Sequence, residues 1–169
     1  MKKFIVIIAL ISLVLVACQG ETELEVSDDI LYPEATINIV DLDNNEVEIT
    51  LEELVEVGES NFVATKDTSS TEPEEFDYTG ILLKNIFEEL EINYDGIAGV
   101  VVSAEDGYKV TIEADKIQED DNVYLAYKSE GKWLENKDND GDGPLQLIVS
   151  NDQFSQYWCK YVKTIELIK

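Results

Sequence analysis

Val100-Val101-Val102-Ser103-Ala104-Glu105-Asp106-Gly107-Tyr108-Lys109-Val110-Thr111-Ile112 reads as a strand, a tight turn and a second strand. The β-branched run suits a pleated, buried surface. Asp106-Gly107 provides the left-handed backbone that a short turn needs. Tyr108, Val110 and Ile112 then recur at a period of two, on one face. Working outward, Ile37 and Ile39 alternate with polar neighbours, Asp41 to Asn45 are turn residues, and Val47 and Ile49 alternate again, giving another hairpin. Thr50 with Glu53 forms a capping box for a short helix holding Leu51 and Leu54. Asn61 to Thr65 reads as a strand, and Lys66 to Glu75 as a polar loop with Ser69-Ser70-Thr71 and Pro73. Leu83, Ile86, Phe87 and Leu90 have the spacing of one helix face. Asn122 to Tyr127 is nearly all apolar and is expected to be covered on both faces. Residues 129–143 read as a long loop, Leu145, Leu147 and Val149 as an alternating strand, and Cys159 to Leu167 as a last strand. Strands outnumber helices and are mostly joined by short turns, so the expected class is α+β, with mixed β-sheets and a few short helices.

The N-terminus carries a different signal. Met1-Lys2-Lys3 precedes an apolar run from Phe4 to Ala17, shorter than the roughly 20 residues that span a bilayer. The run closes on Leu15-Val16-Ala17-Cys18, which resembles a bacterial lipobox. That resemblance implies a signal peptide over residues 1–17 and acylation of Cys18 by diacylglyceryl and palmitate-like chains. The expected location is the extracytoplasmic face of a bacterial cell membrane, held by the lipid. Residues 18–35 are acidic and weakly apolar, as in a tether, which leaves residues 36–169 as the domain.

Composition narrows the chemistry. The chain has 12 basic residues, all of them Lys, against 37 acids, and no His. Losing Lys2 and Lys3 with the signal peptide takes the formal charge from −25 to −27. Such a charge argues against nucleic acid, whose binding rests on neutralising phosphates. It reads as a solvated surface that keeps an extracytoplasmic domain soluble, with a surface that gathers cations as the alternative. Without His, Ser-His-Asp and Cys-His catalysis and the usual zinc or haem sites are excluded. With Cys18 lipidated, Cys159 has no disulfide partner within the chain. Glu52-Glu53 and Glu74-Glu75 are sequence neighbours and read as surface charge.

Several segments, taken in order, resemble the sulfite-oxidase-like (oxidoreductase molybdopterin-binding domain) family. They are Thr50-Leu51-Glu52-Glu53-Leu54 after a hairpin, Tyr78-Thr79-Gly80-Ile81-Leu82-Leu83 before a helix, and the turn Asp106-Gly107-Tyr108. Tyr124-Leu125-Ala126-Tyr127 with Gly131-Lys132, Gly143-Pro144-Leu145-Gln146-Leu147, and Trp158-Cys159-Lys160-Tyr161-Val162 with Ile165-Glu166 follow. The resemblance implies that fold over about residues 36–168. It also implies a molybdenum cofactor held by a cysteine thiolate before the Thr-Gly stretch and by Arg, His and Lys around its phosphate. Here Thr65 to Asp77 contains no Cys, Gln146 stands where Arg is usual, and the chain has no Arg or His. Thiolate is the soft ligand that the metal needs, so the molybdenum cofactor is not expected and no residue is expected to be catalytic.

Family members lacking that cysteine imply another role, binding a metal-free pterin. A flat, nearly neutral ring needs aromatic plates and a few polar partners. Tyr78, Tyr108 and Trp158 are candidate plates, Asp106 an acceptor and Lys160 a donor, in a pocket between the closing strand and the Asp106-Gly107 turn. The alternatives are a molybdopterin-dependent oxidoreductase with atypical metal ligation, and a structural domain that docks an envelope protein partner. Separately, Asp138, Asp140 and Asp142 followed by Gly match the start of an EF-hand loop, but Val149 occupies the place of the closing Glu. The segment is either a weak calcium site or a solvated acidic turn.

Overall fold

The computed structural model describes residues 29–69 and 71–169. The apolar N-terminal run and Cys18 lie outside the described residues. The chain forms β1 (Thr36–Val40), β2 (Glu46–Thr50), α1 (Leu51–Val57), β3 (Ser60–Thr68), β4 (Thr71–Leu82), α2 (Leu83–Glu89), β5 (Gly99–Ala104), β6 (Lys109–Glu113), α3 (Ala114–Gln118), β7 (Val123–Ser129), β8 (Lys132–Trp133), β9 (Gln146–Val149) and β10 (Val162–Ile168). Both expected hairpins form: β1 pairs with β2 and β5 with β6, each antiparallel. At the start of α1, Thr50 Oγ1 accepts from Glu53 N at 3.2 Å, and Glu53 Oε2 accepts from Thr50 N at 2.9 Å. This capping box satisfies orphan amides of the first turn.

The strands build two five-stranded sheets. One has the order β2-β1-β10-β5-β6; the other runs β3-β4-β7-β8, with β9 also paired to β7. β1 and β10 are parallel, a long-range pairing between the first strand and the last. The inner faces of both sheets share one core with the helices: Ile37, Ile39, Val102 and Ile165 come from one sheet, Ile81, Leu125, Tyr127 and Leu147 from the other. Leu54, Ile86, Phe87 and Ile117 seal it from the helices. Each such side chain contributes about 1.5–3 kcal/mol by leaving water. The second sheet also buries part of its outer face, where Ala64, Tyr78, Ala126, Ile148 and Trp158 form a separate cluster.

Four expectations need correction. Lys66 to Glu75 is not a loop, because β3 and β4 run on through it as a long antiparallel hairpin. Residues 129–143 include the short strand β8 and a 3₁₀ turn at Lys137–Asn139. β9 is buried on both faces, not alternating, because Gln146 and Ile148 lie beneath the outer cluster's cover. Cys159 lies outside β10 and makes an isolated bridge to Leu147. The described tether residues are also docked: Ile30 and Ala35 pack on the core, and Leu51 N donates to Ala35 O at 2.7 Å.

Gly80 sits at a register shift where β4 crosses β7. A Cβ there would lie 2.6 Å from Leu125 O and 2.7 Å from Ala126 Cα, both backbone atoms that cannot turn aside. Gly80→Ala is expected to destabilise the fold by about 1–3 kcal/mol. Urea unfolding measures this, as a lower midpoint at unchanged slope.

Candidate functional site

The segment Glu135–Asp142 folds tightly against itself. Gly141 N donates to Asn136 O at 3.0 Å, and Gly143 N to Glu135 O at 2.8 Å. A Cβ on Gly141 would come within 2.0 Å of Glu135 O, so glycine is required by close backbone approach. Tyr161 pins the far end: its hydroxyl donates to Gly141 O at 2.8 Å, and its amide to Asp142 O at 3.3 Å. The Asp-Gly repeat is therefore a packing device. It fixes the Asp142 carboxylate between two ammonium groups, Lys160 Nζ at 2.6 Å from Oδ1 and Lys66 Nζ at 3.2 Å from Oδ2.

Beside this cluster lies a cavity of about 460 Å³. Phe76, Tyr78 and Trp133 give it aromatic walls, and Lys66, Asp142 and Gln146 give it polar ones. Trp133 is held by stacking on Tyr127, with centroids 5.2 Å apart, and by the Lys128 ammonium 4.4 Å from its ring. Gln146 follows from the strand alternation of β9: Leu147 faces the main core and Gln146 the outer side. It is 1% exposed, and its Oε1 is buried without a hydrogen-bond partner. An unmet buried acceptor costs about 1–3 kcal/mol, so this oxygen invites a donor from a ligand.

Electrostatics follow the geometry. Burial alone would raise the Asp142 pKa, but the hydrogen bond from Lys160 and the charge of Lys66 outweigh it and hold the carboxyl below its ordinary value. Burial, with the Asp142 charge nearby, pushes the Tyr78 hydroxyl up to about 12, so it enters the site protonated. Burial likewise pushes the Cys159 thiol up to about 12.

Of the residues expected to hold a ligand, Tyr78 lines this cavity, whereas Asp106, Tyr108 and Trp158 do not. Trp158 is no free plate: it is buried edge-on against Tyr78, and its Nε1 donates to Val149 O at 3.2 Å. Asp106 Oδ1 accepts from Tyr108 N at 2.9 Å within its own turn, and the Tyr108 hydroxyl donates to Gln156 O at 3.2 Å. The turn itself is fastened to the closing segment by Glu105 N donating to Tyr161 O at 2.9 Å. Lys160 is committed to Asp142. Asp138, Asp140 and Asp142 are not brought together: among the described residues no three acidic side chains are gathered as metal ligands, Asp142 faces lysines and Asp138 lies in the 3₁₀ turn. Sequence reasoning missed Lys66, Phe76 and Trp133 as site residues, because nothing local marks them. Gln146 was visible as a departure from the family pattern.

The family model for the oxidoreductase molybdopterin binding domain matches residues 27–169. Among solved structures, the crystal structure of the sulfane dehydrogenase SoxCD from Paracoccus pantotrophus is similar in fold, with a TM-score of 0.65 at 16% identity. The similarity covers 79% of this chain and 38% of that one. No curated protein matches the chain in sequence. The residues present do not fit molybdenum. The β3–β4 hairpin has no thiolate, and Cys159 is fully buried with its backbone bonded to Leu147. Nor do they fit the cofactor's phosphate, since Gln146 is neutral and Lys160 is already paired with Asp142.

Two outcomes follow from this geometry. The Cys159 thiol should resist a thiol-alkylating reagent in the native protein and react fully in denaturant, which mass spectrometry reads directly. A depressed Asp142 pKa stabilises the fold above its ordinary value of 3.8 and ceases to do so as pH falls through the lower folded value. The stability gap between the native chain and Asp142→Asn should thus be widest near neutral pH and narrow below pH 3.8, as followed by urea unfolding across pH.

Proposed function

The chain belongs to the oxidoreductase molybdopterin binding domain family, and from that premise we propose that it is a lipid-anchored envelope protein that binds a small planar ligand of the pterin class without redox turnover. The unpartnered Gln146 Oε1 in an aromatic-walled cavity carries this reading. A pterin is flat, offers N–H donors along its edge and needs no metal. Phe76, Tyr78 and Trp133 supply the apolar surface that such rings stack on. The missing thiolate in the β3–β4 hairpin supports a role in binding over one in oxidation. Stacking with two or three hydrogen bonds supports micromolar affinity after the costs of association.

Titration of a pterin panel should change tryptophan fluorescence saturably, and Trp133→Phe should remove most of the response while Trp158 remains as background. Gln146→Leu should weaken binding by about tenfold, the worth of one hydrogen bond. A flat response across the panel would leave a protein-docking domain as the better account. Near-stoichiometric molybdenum in protein from its native host, with turnover, would restore the oxidoreductase reading.

Anchoring rests on the basic start, the apolar run and Leu15-Val16-Ala17-Cys18. No helix among the described residues is long and apolar enough to cross a membrane. Replacing Cys18 with Ala should shift the protein from the membrane to the soluble fraction and change its mobility. Equal membrane retention would refute lipidation.

A further inference from the structure

We propose that Asp142 is a built-in counter-ion that occupies the anion subsite of the cavity, so that the site admits ligands without a phosphate and turns away those that carry one. The ligand half of this statement rests on the cavity being a pterin-type site; the counter-ion half stands on the ion geometry alone.

Lys66 and Lys160 come from distant parts of the chain, β3 and the segment before β10, and meet at one point beside the cavity. Lys66 and Asp142 line the cavity, and Lys160 reaches the same carboxylate from beyond the lining; two ammonium groups converging on one point form a receptor for an oxyanion. Here the receptor is filled from within. Each oxygen of Asp142 takes one ammonium, at 2.6 Å and 3.2 Å. The pairing is also fixed: the backbone on either side of Asp142 is held by the Tyr161 hydroxyl, the Tyr161 amide and the Gly143 amide. With the main chain bonded on both sides, Asp142 cannot shift as a whole, so its carboxylate leaves only by rotating about its own side-chain bonds and giving up both ammonium contacts.

The charges around the cavity agree. In the lining, Lys66 and Lys132 face Glu135, Asp140 and Asp142, and Lys160 behind Asp142 brings the sum to zero, which leaves no net positive charge at the wall. The whole chain carries −25 and repels anions at range. An incoming phosphate would have to displace Asp142 and leave a half-buried carboxylate without its partners. A neutral ring meets only the aromatic walls and the Gln146 oxygen.

The test compares the purified full-length native chain with Asp142→Asn at fixed ionic strength. Inorganic phosphate is titrated calorimetrically and by NMR of the lysine ε-methylene groups. The native chain should show no saturable response. Asp142→Asn should bind phosphate at least about tenfold more tightly, because two ammonium groups are freed together, and adding Lys160→Met should remove most of that gain. Saturable phosphate shifts at Lys66 and Lys160 in the native chain would overturn the proposal whether or not the variant folds. A folded Asp142→Asn chain that gains no phosphate binding would do the same. In a second arm, a hydroxymethyl pterin and its phosphate monoester are compared. The native chain should prefer the unphosphorylated compound, and Asp142→Asn should lose or reverse that preference; equal preference in both proteins would overturn the selectivity claim. If the native chain binds neither pterin while the phosphate arm behaves as stated, the pterin reading fails and the counter-ion role stands.

Discussion

Everything in this domain hangs on the segment that closes it. Cys159 exchanges both backbone hydrogen bonds with Leu147 of the second sheet, at 2.8 and 3.0 Å. A few residues later, β10 enters the first sheet between β1 and β5. One short stretch therefore ties the two sheets together, and the residues between its two attachments have little freedom. Tyr161 takes a left-handed conformation, with φ 53°, to make the change of direction. A non-glycine residue in that region costs of order 1 kcal/mol and is kept only where its surroundings over-determine it. Here the surroundings are the Tyr161 bonds to Glu105, Gly141 and Asp142.

Those bonds place the candidate site. Lys160 precedes Tyr161, so the constraint that joins the sheets also aims its ammonium at Asp142. The Glu135–Asp142 segment is clamped between Tyr161 on one side and its own backbone bonds on the other. Gln146 comes from the strand that Cys159 bridges, one residue before Leu147. The fold can thus be kept while the chemistry of the cavity changes, because the scaffold depends on main-chain pairing and buried aliphatics, not on the side chains lining the wall. This separation of fold from site is general, and here it allows a glutamine where the family pattern has arginine.

The parts of the fold legible in the sequence are those whose signals are local. The Ile37–Ile49 hairpin, the Thr50–Glu53 cap, the Leu83–Phe87 helix face and the Asp106-Gly107 turn each fit within a window of a dozen residues. Asn61 to Thr65 was legible as a strand, but the Lys66–Glu75 part of the β3–β4 hairpin was hidden, because residues 72–75 of β4 are exposed in a row and show no apolar alternation. The strand β9 was visible, but its burial on both faces was not, since the cover over Gln146 comes from elsewhere in the chain. α3 is five residues long with no side-chain cap, too short to leave a period. In the site, Asp142 drew attention for the wrong reason: the Asp-Gly repeat looked like a cation loop, and only the approach of Lys66, 76 residues away, shows that its charge is already answered. Trp158 erred the other way, since its buried packing against Tyr78 depends on β3, β4 and β9 being assembled first.

The ion cluster is a poor candidate for a stability device. Lys66 and Lys160 keep a third or more of their side-chain surface in water, at 34% and 44%, and pairs so exposed contribute about 0–1 kcal/mol each. Nor can the acidic composition explain it, because an average of charges over the surface does not select one carboxylate for two lysines. What the cluster does change is the field at the cavity wall. Without the Asp142 charge, Lys66 in the lining and Lys160 behind it would have no carboxylate between them. With it, one of the two positive charges is offset at contact distance, and Glu135 and Asp140 in the same lining offset the rest, so the field projected into the cavity is weakened. The cavity then discriminates by shape, by its aromatic walls and by the single unmet acceptor of Gln146. An acidic domain that holds a neutral pocket has to cancel charge locally, and a backbone-pinned aspartate does this without leaving the outcome to whatever ion is present.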